Sequence, residues 1–143
     1  MVFGDSKTCS FVVVGVHVLA VNEKGQVLLK QNGDRWEVPG SLLELGEELE
    51  DAARRGFFEE TGLVMGSMRL VGVFSGKKYL FQFDDEQAYL VTAVYATSEI
   101  YGDFLEANRI QYFNLSQIPT VTEKTHLDFI ERLRKQSLPG VCQ

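Results

Sequence analysis

Residues 47–61 constrain this chain more than any other stretch, because they carry a helical apolar pattern inside a sequence otherwise made of strand-like runs. Leu49, Ala52, Ala53, Gly56 and Phe57 fall at i, i+3, i+4, i+7 and i+8 of one stripe, and Gly62 stands where the helix has to stop. The next position of the stripe is Glu60. A carboxylate on a covered face is costly unless something cationic meets it. Glu47, Asp51, Arg55 and Glu59 form a second row at four-residue steps, so two carboxylates and an arginine converge near one end. Such a row is commonly no more than a solvated, mutually paired face. Glu60 on the covered stripe argues instead for a hard cation such as Mg²⁺, which takes carboxylate, water and phosphate oxygens.

The rest of the chain reads mainly as strands. Residues 11–21 are rich in β-branched side chains, residues 22–25 make a turn, and residues 26–30 complete an expected hairpin. Pro39 and Gly40 close a run at 36–40, and residues 41–46 read as a loop feeding the helix. Strand-like segments follow at 68–75, 79–83, 88–97 and 110–114, with an acidic turn at Asp84, Asp85 and Glu86. An amphipathic helix is expected over 123–136, with Thr122 as its cap, and residues 137–143 read as a flexible tail. Two helices far apart among strands imply an α/β (α+β) domain with a mixed β-sheet covered by helices. At 143 residues and 45% hydrophobic side chains, the chain makes one domain.

Charge narrows the function. A net charge of −6 argues against extended nucleic acid as a partner, since counterion release needs clustered Lys and Arg. A phosphate ligand has to be met locally, by a metal or a few cations. Cys9 and Cys142 do not make a disulfide framework, so a reducing cytoplasm is the expected location. Gly15 and His17 interrupt the apolar run at 11–21, which separates it from a signal-peptide core, and no run is long enough for a membrane helix.

Gly40, Glu44, Gly46, Glu47, Arg55, Glu59, Glu60, Gly62 and Leu63 together resemble the Nudix box, Gly-x5-Glu-x7-Arg-Glu-apolar-x-Glu-Glu-x-Gly-apolar. The segments at 36–40, 106–113 and 118–119 are similar to flanking parts of that family. Two positions depart from the pattern. Ser41 stands at the first box glycine, and Gly56 replaces the glutamate after the arginine.

The resemblance implies an α/β/α sandwich that hydrolyses a small-molecule nucleoside diphosphate linked to another group, using Mg²⁺ or Mn²⁺; it leaves a homodimer open. It makes the Gly40 carbonyl, Glu59 and Glu60 metal ligands. Arg55 would orient the carboxylates, and Glu47 would support Arg55 or hold a second ion through water. Gly56 implies a gap beside the remaining carboxylates and a general base drawn from elsewhere, with Asp84, Asp85, Glu86 and Glu106 as candidates. Arg35 could touch phosphate. Trp36 could stack on a base or fill the core, and His17 and His126 read as structural. Three readings stay open: a metal-dependent hydrolase, a nucleotide-binding module without turnover, and an interaction scaffold with an ordinary acidic helix.

Overall fold

The computed structural model describes residues 9–104 and 109–137. Glu106 and residues 138–143 of the expected tail lie outside the described residues. The chain begins with β1 (Cys9–Ala20), β2 (Gln26–Asn32), β3 (Arg35–Glu37) and β4 (Gly40–Leu42), followed by α1 (Leu49–Thr61). After α1 come β5 (Val64–Met65), β6 (Arg69–Phe74), β7 (Leu80–Phe83), β8 (Glu86–Thr97), β9 (Ile100–Tyr101), β10 (Ile110–Asn114) and α2 (Lys124–Ser137). No helix among the described residues is long and apolar enough to cross a membrane.

The main sheet runs β4-β1-β8-β6, with β7 also paired to β8. It is mixed, because β1 and β8 are parallel from Cys9↔Glu86 to Ala20↔Thr97 and the other pairs are antiparallel. A smaller sheet runs β10-β2-β3, and β5 pairs with β9. The alternation of β1 serves two cores. Val16, Val18 and Ala20 pack with Ala52, Ala53 and Phe57 of α1. Leu19 packs with Phe129, Ile130 and Leu133 of α2. Helices therefore cover opposite sides of β1, which explains why this strand is apolar on both faces.

The expected hairpin is corrected by the register. Residues 22–25 do turn, but beyond a single bridge, Val21↔Val27, the two strands part: β1 joins β4 and β8 while β2 joins β3 and β10. Part of the expected loop at 41–46 is strand β4, and the short β5 and β9 were not foreseen. Thr122 does not cap α2. Its hydroxyl donates to the Pro119 carbonyl at 2.7 Å, which closes the turn before the helix.

Candidate active site

Helix α1 places its carboxylates against local preference. Glu50 and Asp51 suit the positive first turn, whereas Glu59 and Glu60 sit in the last turn with no basic residue there. Gly62 ends the helix in the left-handed region at φ 79°, and its N–H donates to the Phe58 carbonyl at 2.8 Å. One cation of the helix and one from a strand offset the two misplaced charges, a pattern expected where function overrides propensity.

Arg55 is the first of these cations. Its Nε and Nη2 donate to the two oxygens of Glu47 at 2.7 and 2.9 Å, and Nη1 donates to Glu59 at 2.9 Å. Nη2 also reaches the Leu42 carbonyl at 2.9 Å, and the Glu44 N–H donates to Glu47 at 3.0 Å. The guanidinium thus ties β4 and the following loop to the helix. Its hydrogen bonds hold the Glu47 carboxyl down to about 2, and Glu47 in turn raises Arg55 above the usual guanidinium range. Glu47 is placed to support Arg55.

Glu60 turns the other way, to the β4 edge. One oxygen accepts the Gly40 N–H at 3.1 Å and the other is held by the Lys30 ammonium. The cation demanded by Glu60 on the covered stripe is supplied by β2. Gly40 is required here: a Cβ on it would lie 2.7 Å from the Val16 carbonyl oxygen and press into the His17 ring. The expected gap at Gly56 is absent. Ser41 points at it, so that a Cβ on Gly56 would lie 2.7 Å from the Ser41 Cβ, and Ser41 Oγ is 3.4 Å from the Ala52 carbonyl. The two departures from the box pattern face one another.

On the α2 side of the main sheet lies a cleft of about 410 Å³, within the range of small-ligand sites. Phe11, Val13, Gly15 and His17, alternate residues of β1, floor it, and Gly40 and Leu42 edge it. Glu37, Glu60, Glu123 and His126 line its polar part. Burial pushes the Glu37 carboxyl up, reinforced by the charges of Glu60 and Glu123 and opposed by the Asn32 hydrogen bond and Lys30. The two histidines are in edge contact, with ring centroids 4.7 Å apart. Burial lowers His17 to about 4; burial and then the charge of His17 lower His126 to about 2. His126 Nδ1 accepts the Val38 N–H at 3.0 Å, so in the neutral ring the proton sits on Nε2.

The structure does not bring every expected residue to this place. Asp84, Asp85 and Glu86 lie at the β7–β8 turn, where Glu86 pairs with Cys9. That is eight residues of β1 from His17, roughly 25 Å at about 3.3 Å per residue. Arg35 pairs with Glu123 at 3.6 Å, and Trp36 packs edge-on against Phe113 at 4.8 Å; neither lines the cleft. Sequence reasoning missed Lys30, Glu37 and Glu123, which come from β2, β3 and the turn before α2. The only linear signal was charge beside apolar runs.

Among the described residues, no group of three His, Cys, Asp or Glu side chains converges as a metal cage. Glu59 and Glu60 are oxygen donors of the kind Mg²⁺ takes together with water and phosphate, but their carboxylates face different partners, Arg55 for Glu59 and Lys30 with the Gly40 N–H for Glu60.

A family model described as NUDIX domain matches residues 12–133. An NAD-capped RNA hydrolase NudC of Vibrio cholerae is 28% identical over 130 residues, covering 88% of this chain and 46% of that protein. An oxidized purine nucleoside triphosphate hydrolase of Mus musculus is 31% identical over 87 residues, covering 59% and 53%. The chain spans about half the length of the curated relatives it matches. A crystal structure of a MutT NUDIX hydrolase from Burkholderia pseudomallei superposes with a TM-score of 0.72 at 20% identity, over 86% of this chain and 98% of that one.

Proposed function

This chain belongs to the Nudix family, and from that premise we propose that it is a pyrophosphohydrolase that cleaves the diphosphate of a nucleoside diphosphate joined to another group, with Mg²⁺ or Mn²⁺. The observation that carries the reading is the meeting of Glu60 with the Gly40 backbone at the β4 edge, beside a cleft of ligand size. Glu59, Glu60 and the Gly40 carbonyl would hold the ion. When bound, a divalent cation neutralises diphosphate charge and lowers the pKa of the attacking water.

This chain's own groups do the rest. Arg55 and Glu47 are positioning residues that fix the loop between β4 and α1. Lys30, paired with the cleft-lining Glu60, would turn to a phosphate oxygen once an ion takes that carboxylate. Glu37 is the carboxyl we assign as general base, because it lines the cleft and its raised pKa moves it toward the working range of a base. The relatives' printed substrates, NAD-capped RNA and oxidized purine nucleoside triphosphates, support a nucleotide-derived substrate.

A second reading, binding without turnover, is favoured by one observation. Ser41 fills the place where the box glutamate would project from position 56. Product chromatography from a panel of nucleoside diphosphate compounds with Mg²⁺ or Mn²⁺ decides between them, with Glu60→Gln and a chelator as controls. Turnover lost in both controls supports the hydrolase. Nucleotide binding with no product at any metal concentration selects the binding module.

A further inference from the structure

A second cleft, between β6 and α2, has no part in the chemistry above. It measures about 450 Å³ and sets Ser75 and Lys78, from the segment after β6, against Asp128, Glu131, Arg132 and Lys135 of α2. No residue lines both clefts. Phe129 stands between them, with its ring centroid 4.9 Å from that of Phe74 on one side and 5.1 Å from that of His126 on the other.

The charges of this cleft are unevenly engaged. The Lys78 ammonium pairs with Asp128 at 2.6 Å, and the Tyr79 hydroxyl donates to the same carboxylate at 3.0 Å. Glu131 pairs with Arg134 at 3.1 Å. Both carboxylates are thus taken, and among the described residues Arg132 and Lys135 have no ion pair.

Arg132 differs from every other arginine of the chain. Arg35, Arg55 and Arg134 meet carboxylates, Arg54 meets the Met65 and Gly66 carbonyls, and Arg69 and Arg109 meet glutamine amide oxygens. Among the described residues, the Arg132 guanidinium meets no oxygen. It is held all the same: its Cζ lies 4.7 Å from the Phe74 ring centroid, and its Nη1 occupies the space over Gly72, where a Cβ would lie 2.5 Å from it. Stacking on a ring fixes the guanidinium without using its five N–H donors. Such a fork suits an oxyanion, which it can meet through two parallel hydrogen bonds. Lys135, three positions on, adds a second charge from the same face of α2. Two uncommitted cations match the charge of a phosphoryl group, about −1.5 to −2 at pH 7.

We propose that the β6–α2 cleft is a phosphate site, in which Arg132 and Lys135 take a phosphoryl dianion without a metal. Free phosphate and the terminal phosphate of an oligonucleotide present the same group to it.

Metal-free calorimetric titration with inorganic phosphate, at constant ionic strength, tests the site on the wild-type chain, Arg132→Gln, Lys135→Gln and Lys24→Gln. The wild type should bind saturably. Arg132→Gln should weaken binding by about tenfold or more, the scale of a hydrogen bond to a charged group, and Lys135→Gln several-fold. Lys24→Gln removes the same charge from the turn at 22–25 and should change nothing. Thermal melting checks that each variant folds, and Lys135→Gln carries the test if Arg132→Gln does not. A 5′-phosphorylated RNA trinucleotide that binds more tightly than phosphate, and loses that binding in Arg132→Gln, identifies a nucleic-acid end as the ligand; a trinucleotide no better than phosphate identifies the free ion. No saturable phosphate binding, unchanged affinity in Arg132→Gln, or an equal loss in Lys24→Gln overturns the proposal. The readout uses neither metal nor turnover, so its failure leaves the hydrolase reading untouched.

Discussion

Ser41 and Gly56 are sterically reciprocal: the side chain of the first occupies the space that any side chain at the second would need, with a prospective Cβ–Cβ distance of 2.7 Å. Gly56→Glu alone therefore overpacks the β4–α1 contact and should cost roughly 1–3 kcal/mol. Adding Ser41→Gly should recover much of that loss, and the double variant, rather than the single, should gain turnover. Urea denaturation of the wild type and the three variants measures the coupling. Strict additivity would show that the two positions are independent.

Arg55→Lys should lower activity about 10- to 100-fold, the usual effect of losing a residue that orients ligands. A lysine cannot reproduce the planar fork that spans both Glu47 oxygens, Glu59 and the Leu42 carbonyl. Limited proteolysis should find the segment between β4 and α1 more readily cut. Unchanged kinetics and cutting would remove Arg55 from its positioning role.

Lys30→Met takes the ammonium from Glu60 and leaves the Gly40 N–H. Manganese binding, read by electron paramagnetic resonance without substrate, should tighten several-fold because the ion no longer displaces a resident cation. Turnover should fall at the same time if Lys30 turns to phosphate. Weaker manganese binding would mean that Lys30 holds Glu60 in its ligating position.

Stability should decline from pH 7 to pH 5. An unfolded histidine titrates near its ordinary 6.5, while His17 is lowered to about 4 and His126 to about 2, chiefly by burial. Below 6.5 the unfolded chain takes up protons that the native chain refuses. Each ring can remove up to about 1.4 kcal/mol per pH unit, and the loss continues down to its folded value. Glu47, held to about 2 by its Arg55 hydrogen bonds, adds to the decline only near pH 5, where its unfolded carboxyl starts to protonate, and Glu37, pushed up in the fold, opposes it. Urea midpoints at pH 7, 6 and 5 should show the slope, and His126→Asn, which keeps an acceptor for the Val38 N–H, should roughly halve it.

The sequence is legible where the physics is local. The period of α1, the stop at Gly62 and the strand at 110–114 follow from neighbouring residues, and so do Arg55 and Glu59, which share a helix face. Strand partners are different. An apolar run such as β1 announces burial on both faces and says nothing of which strands flank it, so the natural guess, its neighbour β2, was wrong. Glu60 was legible as a charge needing a partner, whereas Lys30 was not, because it lies 30 residues earlier, on a strand of the smaller sheet. The filling of the space at Gly56 was hidden for the same reason: both departures were visible, and only the fold sets them face to face.

The pairing of β1 with β8 also sets an order of events. Partners along these strands are 77 residues apart, from Cys9↔Glu86 to Ala20↔Thr97. Such non-local contacts form slowly, because loop closure comes before any gain from pairing. On a chain made from its N-terminus, β1 waits with an unpaired, β-branched edge until residue 97 has been added. In that interval the emerging protein is most exposed to joining a second copy of itself.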